Sequence, residues 1–252
     1  MSVYPILLHT VACGWYVFFW NQILDSFLTT TKDKGEWHPM YQNLVEFRFR
    51  FFTNWNLIMQ TLYFSGCLLH DIMKILNGPN WLNLGTKFQN LLSASFASLI
   101  LPTGILVSVT FWIFYGIDRE VVYPKILDNY IPIWHNHGMH TVILPLVFAE
   151  LMTTKHRFLP VKVLITIFNS FMFFYSTILL VTYLKNDRWL YPLLEKFSLP
   201  VAIAIILCFQ FVFAGSLFAG VFIQNQVWGE KKRKEKGENR KTVEKSENVS
   251  SF

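Results

Sequence analysis

Charged side chains are scarce in this sequence of 252 residues: Asp, Glu, Lys and Arg make up 15%, against 53% apolar and 17% aromatic. With a mean hydropathy of +0.34, the chain lacks the polar surface of a typical soluble domain and reads as a polytopic membrane protein. Cysteine is scarce too. Cys13, Cys67 and Cys208 each fall inside an apolar segment with no CxxC spacing, so neither a disulfide framework nor a zinc motif is indicated. Met1-Ser2-Val3-Tyr4-Pro5 lacks a positive n-region and a small-residue cleavage site, so the first apolar run is expected to be a retained membrane helix. Strand-like alternation is missing as well, and a backbone in hydrocarbon must satisfy its own hydrogen bonds, which leaves an all-α bundle.

What is present is a series of long apolar runs. A crossing takes roughly 20 helical residues, and six stretches qualify: about 5–24, 51–69, 89–117, 133–152, 161–184 and 199–227. The expected architecture is a polytopic bundle of six transmembrane helices over residues 1–228, followed by a disordered basic tail, 229–252. Asn77-Gly78-Pro79-Asn80 is a turn signal, Pro102 predicts a kink, and Ser93, Ser95, Ala97 and Ser98 allow close helix approach. Asp118-Arg119 followed by Tyr123-Pro124 and Pro132 matches Asp187-Arg188 followed by Tyr191-Pro192 and Pro200. The match predicts two related hairpins whose Tyr-Pro loops lie on one face, with Tyr123, Trp134, Trp189 and Tyr191 marking the interface.

The formal charge of +6 is local, because 8 of the 22 basic residues lie in the tail. That suits a cytosolic segment near anionic lipid better than a nucleic-acid groove. Both termini are expected in the cytosol, in the endoplasmic reticulum or plasma membrane, and the Asn248 sequon would then go unused.

Ile131-Pro132-Ile133-Trp134-His135-Asn136-His137-Gly138-Met139-His140 places three of the seven histidines at the mouth of an apolar segment. A polar cluster there is a candidate functional site, although helix-to-helix hydrogen bonding is the ordinary use of such residues. At 100° per residue, Asn136 and His140 share a face, His137 lies beside them and His135 points away, so three histidines on one metal are disfavoured. No metal and no cofactor are expected. Thr53, Asn56 and Gln60, spaced i, i+3 and i+7, form one polar stripe facing the bundle interior. Imidazole is a natural base for a threonine hydroxyl, and a Thr53–His140 dyad is one reading. Thr53 bonding its own backbone is the plainer one.

Tyr115-Gly116-Ile117-Asp118-Arg119-Glu120-Val121-Val122-Tyr123-Pro124-Lys125-Ile126-Leu127-Asp128-Asn129-Tyr130-Ile131-Pro132, then Trp134 and His137-Gly138-Met139-His140-Thr141, closely resembles the androgen-induced gene family. The similarity resumes at Trp189-Leu190-Tyr191-Pro192-Leu193-Leu194-Glu195 and, more loosely, at Arg50-Phe51-Phe52-Thr53. The resemblance implies a multi-pass membrane threonine hydrolase that cleaves fatty acid esters of hydroxy fatty acids. Carried over by position, the nucleophile falls on Thr53 and the histidine on His140. Asn56, Asn136 and His137 are unranked candidates for the oxyanion or substrate contacts. The implied partners are a lipid ester and the membrane, with no nucleic acid. A transporter or channel, or a scaffold that has lost activity, are the alternatives from other classes.

Overall fold

The computed structural model describes residues 3–32 and 37–250, and of 30–32, 79, 81–82 and 230–250 the backbone alone. The basic side chains of the tail and the Asn248 sequon lie outside what is described, as does the connection 33–36. Among the described residues the chain is all-helical. Its α-helices are α1 (Tyr4–Lys32), α2 (Pro39–Glu46), α3 (Phe52–Asn77), α4 (Leu82–Ser95), α5 (Leu101–Asp118), α6 (Ile133–His140), α7 (Ile143–Thr153), α8 (Val161–Asn186), α9 (Pro192–Glu195) and α10 (Leu199–Ser250).

Three helical stretches are long and apolar enough to cross a membrane: Asn83–Val121, Val161–Asn186 and Leu199–Gly229. The six expected crossings are thus supported for three. The others fall short for physical reasons. α1 and α3, at 29 and 26 residues, are long enough but carry inward-turned polar groups such as His9, Asn56 and Gln60, all at most 3% exposed. The fourth segment is broken in two at Thr141-Val142, because Pro145 has no N–H to give back to the carbonyl of residue 141. The two amides at the break both turn to the His137 carbonyl, at 2.9 and 3.0 Å.

The kink expected at Pro102 takes a specific form. One turn of π-helix, Phe96–Ile100, precedes the proline, and the Leu101 amide reaches back to the Phe96 carbonyl. The extra residue absorbs the hydrogen bond that Pro102 cannot make. At the end of that turn the Ile100 carbonyl accepts Gln60 Nε2 at 3.1 Å. α5 then runs through the middle of the bundle, against α3, α6, α7 and α10.

The two Tyr-Pro loops do meet on one face: Lys196 Nζ lies 3.0 Å from Asp118 Oδ2. Their aromatic residues do not all face lipid, as the interface reading expected. Tyr123 and Trp189 are each 5% exposed, because Trp189 stacks on Tyr183 and Tyr123 receives Arg119 on its ring. Trp134, at 37%, is the exposed one of the four.

Candidate active site

Two helix ends and a loop build the site. α3 opens at Phe52 behind an extended Phe51, so Thr53 stands in its first turn, where the helix dipole favours developing negative charge. The opening is held by a relay of hydroxyls. The Phe52 amide donates to Tyr191 Oη at 2.9 Å, Tyr191 Oη lies 2.9 Å from Tyr175 Oη, and Tyr175 donates to the Arg50 carbonyl at 3.1 Å. Burial raises the Tyr191 phenol above its ordinary range, so it stays protonated and completes the ring. The first Tyr-Pro loop serves the other helix. Tyr123, also pushed up by burial to about 12, sits beside the Asn136 side chain of α6. The repeat seen in the sequence therefore places one tyrosine next to each candidate residue's helix.

Thr53 Oγ1 and His140 Nε2 are 3.4 Å apart, the loose contact of a resting site. His140 Nδ1 lies 3.0 Å from the Asn136 carbonyl. A carbonyl only accepts, so Nδ1 carries the proton and the neutral ring offers its Nε2 lone pair to the threonine. The orienting group is the main-chain carbonyl of Asn136. Phe111 lies flat on the imidazole, with ring centres 3.6 Å apart and planes 9° apart.

The pair opens into a cavity of about 520 Å³ lined mainly by apolar side chains, among them Leu106, Val107, Phe114, Met172 and Phe209. Arg48 is the one lysine or arginine on its described wall. It is flanked by the rings of Phe27 and Phe49 and gives one N–H to the Val45 carbonyl at 2.7 Å.

Of the three polar candidates, Asn136 reaches the cavity wall, and its Nδ2 makes no aligned hydrogen bond. Asn56 does not line the cavity: it is fully buried, and its Oδ1 lies 3.0 Å from the Thr103 hydroxyl. His137 is a correction. It is exposed, pairs with Thr141 Oγ1 at 3.1 Å and packs on Trp112, while His135, expected to point away, is 5% exposed and lines the cavity. The spacing gave the angles between these residues. It did not give which side of His140 the cavity occupies: Asn136, Met139 and His135 fall to one side and His137 about 60° to the other. Phe111 and Arg48 had no sequence signal, whereas Tyr191 was signalled by the Tyr-Pro repeat.

The family model described as FAR-17a/AIG1-like protein matches residues 3–225. The chain belongs to this family. Among FAR-17a/AIG1-like relatives, the human androgen-dependent TFPI-regulating protein is 29% identical over 230 residues, covering 90% of this chain and 95% of that protein. The mouse protein of the same name is 29% identical over 222 residues, with 88% and 92% covered. Human androgen-induced gene 1 protein is 31% identical over 200 residues, 77% of this chain and 84% of the relative. No solved structure matches.

Proposed function

We propose that the chain is an intramembrane hydrolase of lipid esters, with fatty acid esters of hydroxy fatty acids as substrates, Thr53 as nucleophile and His140 as general base. The observation that carries the reading is the 3.4 Å approach of Thr53 Oγ1 to an imidazole nitrogen whose partner nitrogen is held by a carbonyl. His140 Nε2 takes the hydroxyl proton as Oγ1 attacks the ester carbonyl. The oxyanion accepts from Asn136 Nδ2. Collapse expels the hydroxy fatty acid, whose alkoxide takes the proton back from His140. Water, deprotonated by the same imidazole, then releases the acyl group and restores Thr53. An apolar cavity of this volume suits acyl chains, and Arg48 suits the free carboxylate of such a substrate. In this reading residues 1–228 cross the membrane six times, and residues 229–252 form a cytosolic tail.

The test compares wild type, Thr53→Ala and His140→Ala, purified in detergent, on a branched fatty acid ester. Thr53→Ala is expected to fall to background, and His140→Ala to lose a factor of about 10² to 10⁴. Retention of activity by both variants would refute the dyad. An alkylphosphonate adduct should map to Thr53 by mass spectrometry. Arg48→Gln should raise KM for the free-acid substrate and leave its methyl ester unchanged, and equal effects on both would remove Arg48 from carboxylate recognition.

A further inference from the structure

Towards the other end of α3, about 21 Å along its axis from Thr53 by helical rise, lies a second buried cluster that the proposed chemistry does not use. Glu150 of α7 is fully buried, His9 of α1 is 3% exposed and Cys67 of α3 is 4% exposed. One donor atom from each lies within 4.8 Å of the others.

The surroundings have the form of a metal site's outer shell. His9 Nδ1 lies 2.7 Å from Asp71 Oδ2, which directs the second ring nitrogen, Nε2, at Glu150 Oε2, 2.9 Å away. A carboxylate behind a histidine, fixing its tautomer and orientation, is the usual support for a zinc-binding imidazole. Glu150 is steadied in turn by the Tyr63 hydroxyl at 2.7 Å and the Thr154 hydroxyl at 3.0 Å.

A separate residue points the same way. The His156 side chain is 2% exposed and clamped between the rings of Phe96 and Phe158. Its Nε2 lies 3.3 Å from Glu150 Oε1 and holds the second carboxylate oxygen in place.

We propose that His9, Cys67 and Glu150 bind one zinc ion that ties α1, α3 and α7 together. One thiolate, one carboxylate and one imidazole, with a water in the fourth position, form a tetrahedral set of the kind zinc takes, and the sulfur disfavours magnesium and calcium. With bonds of about 2.0–2.2 Å, the His9–Glu150 separation has to widen by about half an ångström. Zinc binding displaces the protons its ligand atoms carry, so uptake is coupled to proton release. His70 and Asp71, with side chains 12% and 13% exposed, give the ion a route from the surface. From the sequence no metal is expected anywhere in the chain, because the cysteines show no zinc spacing and the ligands come from three distant stretches. The inference stands apart from the hydrolase reading.

The test uses the full chain in detergent, stripped with chelator and dialysed against zinc. Elemental analysis is expected to find one zinc per wild-type chain, and none in Cys67→Ser or Glu150→Gln. Asp71→Asn, which removes only the support behind His9, should keep the site but weaken zinc affinity about 10- to 100-fold, a loss that a merely structural role would not produce. Cobalt loaded into the wild type should show thiolate-to-metal charge transfer and the visible bands of a tetrahedral ion. That spectrum is read on the wild-type chain, so the result does not depend on any variant folding. Monodisperse, helical wild type that takes up no zinc and gives no such spectrum overturns the proposal and leaves a hydrogen-bonded ion network. Zinc uptake that survives both Cys67→Ser and Glu150→Gln overturns it equally.

Discussion

Asn136 has two separate jobs. Its main-chain carbonyl holds the His140 proton, and its side-chain amide lines the cavity beside Tyr123. A substitution can therefore remove one and keep the other. Asn136→Leu leaves the carbonyl in place, and under the proposed mechanism kcat should fall about 10²- to 10³-fold with little change in KM, the loss typical of one oxyanion donor. Steady-state kinetics on the lipid ester check this, and an unchanged kcat would exclude the amide from the reaction. At this scale the sequence was informative about identity and poor about environment. Thr53 and His140 could be picked out because a hydroxyl and an imidazole are conspicuous in apolar runs. Phe111, flat against His140, could not, because among 25 phenylalanines nothing distinguishes one that covers this imidazole from one that faces lipid.

At the scale of the helix, the His137-Gly138-Met139-His140 turn owes its position to the residue with no side chain. A Cβ on Gly138 would run into the ring of Phe19, which is fully buried. That ring presses α1 against α6 and forms edge contacts with Trp134 and His135. Gly138→Ala should cost about 1–3 kcal/mol by overpacking, read as a lowered thermal midpoint in detergent. Phe19→Leu in the same chain should recover much of the loss, and a lack of recovery would place the cause elsewhere. The helices were legible wherever apolar runs are long, as at Val161–Asn186. Their interruptions were not. The π-turn before Pro102 and the break before Pro145 come from single missing N–H groups, and the position at which a helix absorbs such a gap depends on what packs beside it, here Gln60 against the Ile100 carbonyl.

At the scale of the molecule, the proposed orientation rests on where positive charge accumulates, and the tail holds much of it. In sealed vesicles with the cytosolic face outward, protease should remove the tail without detergent. Protection of the tail would invert the topology. The hydroxyl ring around the start of α3 bears on how the chain is made. The amide of Phe52 is capped by a residue 139 positions further along, and synthesis runs from the N-terminus. α1, α3 and the histidine turn all leave the ribosome before Tyr175 and Tyr191 exist to hold Thr53 in place. Its hydroxyl is consequently among the last groups to be set, and a nascent chain in the membrane holds an unset site until the loop before α10 has been translated.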